Sequence, residues 1–363
     1  MKYIAEFRNH AAGAGLAAMI REAVRGRVIR IMEICGGHTI TIFKSGLREL
    51  LPEGVRLISG PGCPVCVTHN TFIDHAIALS ALPGVTITSF GDMMRVPGSA
   101  SSLQKEKARG ADIRICYSPL DALEIARTEP GRKIVFLGIG FETTAPGIAA
   151  TIKRAYSEGL RNFTVLGAMK TVPAAMRALV AGGEVGIDAF ICPGHVSTIT
   201  GLGIYEFLAR DFNTPCVVSG FEPLDMLRAI HMIALQLKEG RAAVENQYTR
   251  TASSDGNPKA RAILDEVFVP CDVAWRGIGV IPGSGLAIAP AFGAHDASAA
   301  FDIRVPESHE HPLCICGDIM RGMRTPHECG LFAKACTPEN PVGACMVSDE
   351  GSCATYYKYA RPA

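Results

Sequence analysis

The sequence predicts an α/β protein with two similar, Rossmann-like parallel-sheet domains and a smaller, irregular third domain. From about residue 28 to 240, short β-branched runs alternate with amphipathic stretches, and Gly and Pro separate them, which is typical of βαβ units. A Pro-Gly break at residues 130 and 131 favours a division of this region into two domains of similar design. After residue 240 the alternation ends, and cysteines crowd the last fifty residues.

The alternating region is predicted to hold eight strands with helices between them. The strands are expected near 28–34, 55–59, 85–90, 112–117, 133–139, 163–168, 187–192 and 215–218. Helices are expected near 68–82, 119–129, 144–158 and 222–239. A Gly-Phe-Glu triplet follows a predicted strand at 140–142 and again at 220–222, a match too short to prove duplication.

Three domains follow from this pattern. We place the first α/β domain at 22–130, the second at 131–240, and the third at 241–363 together with the N-terminal residues 1–21. The third domain is expected to contain a charged helix near 257–268 and then loops, including a Gly- and Pro-rich stretch at 277–290. Such a segment has few periodic apolar faces, so a bound metal cluster is expected to hold it together.

Composition excludes several classes of function. Of the 363 residues, 48% are hydrophobic and 20% are charged, with 36 basic and 35 acidic side chains. This balance creates no field that attracts polyanions, so nucleic acid is not expected as a partner. No run of about 18 apolar residues occurs, and charges interrupt the N-terminus, so we expect a cytoplasmic protein without membrane contact that is monomeric when alone.

The chain has thirteen cysteines, and an odd number in a reducing compartment favours metal or redox chemistry over a disulfide framework. Three of them, Cys35, Cys63 and Cys66, lie in Gly-rich loops directly after predicted strands. Because parallel strands present their carboxyl ends at one edge of a sheet, these thiols are expected to converge on one site. A helix N-terminus favours the thiolate form, which binds soft metals and attacks disulfides.

Three proton-handling side chains have the same placement after strands. His38 belongs to the Cys35 loop, and Glu142 and His195 belong to two later loops rich in hydroxyl groups. We expect all three around one interdomain cleft, as polar support rather than as metal ligands. Structural roles stay open, because a carboxylate or a threonine here can cap a helix and Cys35 can be a buried apolar residue. The CxxC can be a redox dithiol or half of a zinc site.

The last six cysteines have the spacing C-x-C-x12-C-x6-C-x8-C-x7-C. This spacing is neither the ferredoxin run nor a pair of zinc knuckles, and it contains no short CxxC hook of the kind that zinc sites use. Six sulfurs are two more than a cubane cluster or a tetrahedral zinc needs. A cluster with four thiolates beside a redox-active pair would use all six, and we favour iron and sulfur over zinc.

Five motifs together span nearly the whole chain: CGGHT at 35–39, GPGCPVC at 60–66, GFETTAP at 140–146, PGHVSTI at 193–199 and the cysteine-rich segment 314–353. In combination they closely resemble the HypD family of hydrogenase maturation factors. The resemblance implies a scaffold, without a stand-alone turnover reaction, for assembly of the Fe(CN)2CO unit of NiFe hydrogenases. It further implies that the small chaperone HypC and the cyanide donor HypE are partners, and that the third domain holds a 4Fe–4S cluster.

The resemblance also guides the assignment of the cysteines. Our choice of 4Fe–4S ligands is Cys314, Cys329, Cys336 and Cys353. Cys316 and Cys345 then form a redox dithiol, so that one sulfur of the C-x-C ligates the cluster while the other faces away from it. In the rival partition Cys345 is a ligand and both Cys314 and Cys316 are free.

Cys35, Cys63 and Cys66 are expected to act together on the iron unit, with HypC supplying a further thiolate. Two other functions stay open. In an iron–sulfur-dependent thiol-disulfide oxidoreductase, Cys63 and Cys66 would exchange disulfides and the cluster would donate electrons. In a zinc-stabilised binding module, there would be no redox function.

Overall fold

The computed structural model describes residues 5–360 and contains sixteen α-helices and eleven β-strands in that range. The strands are β1 (Ile29–Glu33), β2 (Val55–Ser59), β3 (Val85–Ser89), β4 (Ile113–Ile115), β5 (Lys133–Gly140), β6 (Phe163–Met169), β7 (Ala189–Pro193), β8 (Cys216–Ser219), β9 (Val244–Asn246), β10 (Phe268–Trp275) and β11 (Gly279–Ile288). The helices are α1 (His10–Val24), α2 (Gly36–Lys44), α3 (Leu47–Leu50), α4 (Pro64–Val67), α5 (Asn70–Ser80), α6 (Leu103–Ala108), α7 (Pro119–Thr128), α8 (Ala145–Ser157), α9 (Val172–Gly182), α10 (Gly194–Thr200), α11 (Glu206–Phe212), α12 (Pro223–Glu239), α13 (Pro258–Val267), α14 (Ala297–Ala300), α15 (Cys316–Met320) and α16 (Ser352–Tyr359). All eight predicted strands are present, and β9, β10 and β11 are additional.

A five-stranded parallel sheet has the order β2-β1-β7-β8-β9. Its central strand β1 pairs on both sides, so that Ile31 aligns with Leu57 of β2 and with Ala189 of β7. Ile31 and its neighbours pack under α1 and α12, whereas Met32 faces the opposite core. Because both faces are buried, the strand is a continuous apolar run in the sequence.

A four-stranded parallel sheet has the order β4-β3-β5-β6. When the strands of each sheet are numbered in chain order, the four-stranded sheet has the order 2-1-3-4. The five-stranded sheet has the order 2-1-3-4-5, which is the same arrangement with one added strand. This shared topology confirms the prediction of two similar Rossmann-like parallel-sheet domains. In such sheets ligands bind where the strand order reverses, which is between β1 and β7 in one domain and between β3 and β5 in the other.

The boundary that we predicted at residue 130 does not separate the two sheets. β3 and β4, which we had placed in the first domain, pair with the β5–β6 half of the four-stranded sheet. β7 and β8, which we had placed in the second domain, extend the sheet that begins with β1. The four-stranded domain is therefore inserted between β2 and β7. Strands buried on both faces carry no sequence signal that identifies their partner, which explains the difference.

The N-terminal helix α1 packs against α12 of the five-stranded domain, and not with the terminal cysteines where we had assigned it. At the contact, Gly13 of α1 lies against Leu224 and Leu227 of α12. A Cβ added at Gly13 would be 3.7 Å from each leucine side chain. Small residues on one face of α1 let the two helices approach closely, and the apolar stripe of α1 is buried there. Residues 1–4 of the assigned segment lie outside the described residues.

The segment after residue 257 is more regular than the sequence indicated. The charged helix is present as α13, but the Gly- and Pro-rich stretch forms strand β11, which pairs antiparallel with β10. A register shift between Cys271 and Val273 bends this hairpin. The hairpin extends the four-stranded domain, since the backbone N–H of Thr171 donates to the carbonyl of Ser284 at 2.8 Å.

The C-terminal segment from residue 301 onward is irregular, as predicted, with short helices and 3-10 turns. It contacts both sheet domains. Tyr356 of α16 packs against Phe43 of α2, with ring centroids 4.4 Å apart. Arg95 of the four-stranded domain donates to the carbonyls of Pro338 and Val347 at 2.8 and 3.2 Å. Within residues 5–360, no helix combines the length and apolar character that a membrane span requires.

Candidate functional site

The loops that follow β1 and β2 touch each other through their backbones. The N–H of Gly36 donates to the carbonyl of Gly62 at 3.3 Å. A Cβ added at Gly62 would lie only 2.3 Å from the backbone nitrogen of Cys35, so only glycine permits this contact. The structure therefore brings the Cys35 loop and the Cys63–Cys66 loop together at the carboxyl edge of the five-stranded sheet.

Cys63 and Cys66 form a disulfide across one turn of α4. The N–H of Cys66 also donates to the sulfur of Cys63 at 3.2 Å. Both residues are almost fully buried, at 4% and 1% exposure, so an external thiol reaches the bond only if the cleft opens. This pair can store two electrons, because its reduction yields two thiols.

Cys35 remains a free thiol at the N-cap of α2 and is partly exposed. We expected the helix N-terminus to favour its thiolate, but burial and the nearby Glu350 carboxylate raise the pKa of the thiol to about 12. The N–H groups of Gly37 and His38 oppose this shift without overcoming it. In the protein without a bound cation the thiol is neutral, and a cation placed beside it would displace the proton.

Glu33, at the end of β1, holds the Cys35 loop in place. Its carboxyl group accepts from the Thr39 hydroxyl at 2.5 Å and from the Cys35 N–H at 3.1 Å. Burial raises the pKa of Glu33 to about 8, so the group is mostly protonated at neutral pH. By accepting from the backbone of Cys35 and from the Thr39 side chain in α2, this carboxyl group joins the end of β1 to the start of α2.

His38 in α2 and His195 in α10 follow β1 and β7, the two strands of the switch point, and the ring of Phe221 stacks on both. The centroid distances from Phe221 are 4.6 Å to His38 and 4.0 Å to His195. The Nε2 of His38 donates to the carbonyls of Ser219 and Gly220 at 3.3 and 3.1 Å, and its buried Nδ1 has no partner. Burial lowers the pKa of His38 to about 4, which keeps the ring neutral.

Glu142 follows β5 of the other domain and is 5% exposed. One carboxyl oxygen accepts from the N–H of Val172 at 2.9 Å, and the other is buried without a partner. Burial raises the pKa of Glu142 to about 7, so the group can gain or lose a proton near neutral pH. The neighbouring Phe141 belongs to the same buried apolar cluster as Cys63 and Cys66.

The last six cysteines line one largely apolar space, which we call the cysteine chamber, with Ile319, Leu331, Phe332 and Met346 as further walls. Its sulfur-bearing residues are Cys314, Cys316, Cys329, Cys336, Cys345 and Cys353. The sulfurs of Cys316 and Cys345, our expected redox pair, are 2.8 Å apart. Hydrogen bonding with Cys316 raises the pKa of the Cys314 thiol, and burial raises that of Cys336.

The chamber fits a thiolate-ligated cluster in its donors and in its shielding from water. Across residues 5–360, no group of three or more His, Cys, Asp or Glu side chains has the arrangement of a single-ion site. The assignment of Cys314, Cys329, Cys336 and Cys353 as ligands therefore stays a prediction. The 2.8 Å distance between the sulfurs of Cys316 and Cys345 agrees with their predicted pairing, and their redox role also stays a prediction.

The segment 344–350, which includes the fifth chamber cysteine and ends before the last, connects the chamber to the cleft. The turn at 344–346, which carries Cys345, packs against the helix α4 that carries Cys66. Four residues farther on, Glu350 lies against the Cys35 loop, where a Cβ added at Gly36 would be 2.4 Å from the Glu350 carbonyl oxygen. One short segment thus contacts the chamber, the helix that carries Cys66 and the loop that carries Cys35.

Comparison with known proteins places this geometry in a family. The profile described as "HypD: Hydrogenase formation hypA family" matches residues 12–360. The chain belongs to the HypD family of hydrogenase maturation factors. It is 47% identical to hydrogenase maturation factor HypD2 of Bradyrhizobium diazoefficiens and to HypD of Azotobacter vinelandii, and 44% identical to HypD of Escherichia coli. These alignments cover 99% of this chain and 97 or 98% of the relatives.

Sequence reasoning about this HypD-family chain missed two residues that position the site. Glu33 was hidden within an apolar strand, although a carboxylate in such a run is itself a signal of a buried polar contact. Phe221 belongs to the Gly-Phe-Glu triplet that we noted only as a faint repeat. In the structure the two triplets lie in different domains, and Phe141 stacks on Trp275 as Phe221 stacks on the histidines.

Proposed function

We propose that this protein is the scaffold on which the Fe(CN)2CO unit of a NiFe hydrogenase is assembled, together with a small HypC-type chaperone. A HypE-type protein would deliver the cyanide. Membership of the HypD family supports a role in hydrogenase maturation. The observation that carries the finer proposal is the backbone contact between the Cys35 loop and the Cys63–Cys66 loop, which holds three sulfurs in one region.

The chemistry of Cys35 suits a soft iron substrate. Low-spin iron with cyanide and carbonyl ligands prefers thiolate donors. Because burial raises the pKa of the Cys35 thiol to about 12, it binds the iron by giving up its proton only when the positive charge arrives. This coupling keeps a reactive thiolate from forming in the empty cleft. The thiolate of the HypC-type partner would complete the site.

The disulfide and the chamber would handle electrons. We propose a 4Fe–4S cluster on Cys314, Cys329, Cys336 and Cys353, with Cys316 and Cys345 as a dithiol. Such a cluster supplies single electrons. Removing cyanide equivalents from their carrier requires reduction, and the packing of the 344–346 turn on α4 keeps the Cys63–Cys66 disulfide near the chamber.

His38, Glu142 and His195 would support the substrate from the cleft walls. Iron-bound cyanide nitrogens accept hydrogen bonds, and exposed His195 can donate one. Glu142, with a pKa of about 7, can exchange protons during transfer. His38 is held by two carbonyls and would act by fixing Phe221 and the Cys35 loop.

Infrared spectroscopy tests the scaffold function. The protein is purified without oxygen together with its HypC-type partner, and the cyanide and carbonyl stretching region is recorded. We expect bands of both ligands in the wild type and none in Cys35→Ala. Iron and sulfide analysis of the same samples separates an iron–sulfur chamber from a zinc site. Colour gives a second distinction, because a zinc protein is colourless.

A second function, an iron–sulfur-dependent thiol-disulfide oxidoreductase, is favoured by the formed Cys63–Cys66 disulfide. In that function Cys35 would be dispensable. The two functions therefore differ in the effect of Cys35→Ala, which removes the scaffold function and leaves disulfide exchange intact.

A further inference from the structure

Beside the cysteine chamber lies a cavity of about 750 Å³ that the proposed function does not use. Its walls come from four parts of the chain: Asn70 at the start of α5, the 95–108 region of the four-stranded domain, the turn of the β10–β11 hairpin, and the C-terminal segment. Cys314 and Gly343 belong to the walls of both the cavity and the chamber. A Cβ added at Gly343 would be 2.7 Å from the Cys314 sulfur, so the partition between the two spaces is thin.

Arg276 lies in the wall of this cavity and is 3% exposed. Its backbone N–H donates to the carbonyl of Val67 at 2.9 Å, and its Nε donates to that of Thr68 at 3.0 Å. Its Nη1 is 3.9 Å from the Glu310 carboxylate, a long contact for an ion pair. Its Nη2 is buried and has no hydrogen-bond partner. A buried guanidinium with an unused donor is costly unless an acceptor faces it.

Asn70 supplies the complementary group. Its Nδ2 donates to the carbonyl of His309 at 2.8 Å, which fixes the orientation of the amide. The Oδ1 is then an acceptor, and it too is buried without a partner. Arg276 and Asn70 both line the cavity, so its lining includes a charged donor and a neutral acceptor that have no hydrogen-bond partner within the described residues. The rim adds Arg95 and Lys105 against the carboxylates of Glu310 and Glu339.

We propose that this cavity binds a small oxyanion that also carries a hydrogen-bond donor, with the charged oxygen on Nη2 of Arg276 and the O–H or N–H on Oδ1 of Asn70. Hydroxycarboxylates and hydrogen phosphate both have this chemistry. The anion offsets the buried positive charge, and its donor selects it over a simple carboxylate. A ligand here lies against the outer side of Cys314, so it is placed to influence the cysteine chamber from outside.

Titration calorimetry on the full chain, purified without oxygen, tests the site. The probes are glycolate, acetate and hydrogen phosphate, and glycolate differs from acetate by one hydroxyl group. We expect saturable binding of glycolate or of hydrogen phosphate, and weaker binding of acetate. Glycolate alone identifies a carboxylate site, and phosphate alone identifies a phosphate site. Absence of saturable binding by all three overturns the proposal.

Two variants locate the binding. Arg276→Lys keeps the charge but removes the Nη2 donor, and we expect affinity to fall by about tenfold or more, since a hydrogen bond to a charged group contributes about 1.5–3 kcal/mol. Arg241→Lys is the matched control on the far surface, where Arg241 pairs with Glu239 and Glu245, and it should bind as the wild type does. Equal affinity of Arg276→Lys and wild type would place the ligand elsewhere and overturn the assignment.

Arg276 also has a structural role, because its Nε donates to the carbonyl of Thr68. A second variant therefore tests the site without changing Arg276. Asn70→Asp puts a negative charge where the acceptor is, and it should weaken the oxyanion even if Arg276→Lys is unstable. Thermal unfolding of each variant confirms that it is folded before titration. Undiminished binding by folded Asn70→Asp contradicts the proposed orientation.

Discussion

The two groups of functional cysteines are built in opposite ways. Cys35 and Cys63 lie in loops that lead into helices, Cys66 lies in the four-residue helix α4, and a backbone contact between Gly62 and Cys35 joins the two loops. The chamber cysteines lie on turns and short helices of a segment with little regular structure, and the sulfurs of Cys316 and Cys345 are 2.8 Å apart. The sheet thus preorganises the cleft, whereas little regular structure holds the chamber in place, so our proposal gives a bound cluster that role.

The largest effect expected from this difference is on function at the cleft. Cys35→Ala, Cys63→Ala or Cys66→Ala should each abolish hydrogenase maturation, because each removes a sulfur from the preorganised site. The iron content of the chamber should not change. Hydrogenase activity in cells that lack the native gene, together with iron analysis of the purified variants, measures both effects.

Cys271→Ala is the matched control, since Cys271 is a partly exposed cysteine of β10 far along the chain from the cleft loops. It should mature hydrogenase normally. Normal maturation by Cys35→Ala beside failure of the other two would instead favour the oxidoreductase. Insolubility of all three would show that their role is structural.

At the chamber, the comparison predicts loss of the cofactor. Serine in place of Cys314, Cys329, Cys336 or Cys353 should remove the cluster and its visible absorbance, and should also lower solubility, because the surrounding segment has little regular structure. Cys316→Ser and Cys345→Ser should retain the cluster. Loss of the cluster in Cys345→Ser, with retention in Cys314→Ser, would reverse this assignment.

The preorganisation of the cleft can be weakened directly with Gly62→Ala. The Cβ of the alanine would lie 2.3 Å from the backbone nitrogen of Cys35, and no side-chain rotation can relieve this clash. We expect the free energy of unfolding to fall by about 3 kcal/mol or more. Gly147→Ala in α8, where an added Cβ meets nothing within 4 Å, should be neutral or stabilising by up to about 1 kcal/mol. Chemical denaturation of both variants gives the comparison, and equal stability would contradict it.

A smaller, pH-dependent effect is expected at Glu142. Its pKa is raised by burial from 4.5 to about 7, so the folded protein holds this proton more tightly than the unfolded chain does. The stabilisation is fully present below about pH 4.5 and is lost as pH rises through 7. Relative to Glu142→Gln, the wild type should lose up to about 3 kcal/mol of stability over this range. A constant difference across pH would show that the carboxyl does not titrate there.

The sequence predicted the sheet region well because its signals are local. Strands such as β5 are apolar runs, helices such as α7 and α12 begin with Pro, and Gly marks the loops that carry Cys35 and Cys63. The carboxyl-edge rule predicted that the Cys35 loop and the Cys63–Cys66 loop lie together, without knowledge of which strands pair. The two Gly-rich cysteine loops are indeed in contact.

What the sequence did not reveal depends on long-range contacts. The partner of β3 is set by packing across the sheet, and no local pattern indicates it. The high pKa of the Cys35 thiol depends on burial and on Glu350, more than three hundred residues away in the chain. The hairpin of β10 and β11 was hidden because its Gly and Pro residues resemble those of a loop.

The insertion of one domain within the other sets an order of events during synthesis. Residues 85–169 are contiguous, and all four strands of their sheet are made before β7 leaves the ribosome. The four-stranded sheet of the inserted domain can form before β7 is made, although its core is completed only by residues after 266, whereas the second edge of β1 is covered only once residues 189–193 are made. We therefore expect nascent chains to expose one apolar edge of β1 until about the middle of the chain has been made.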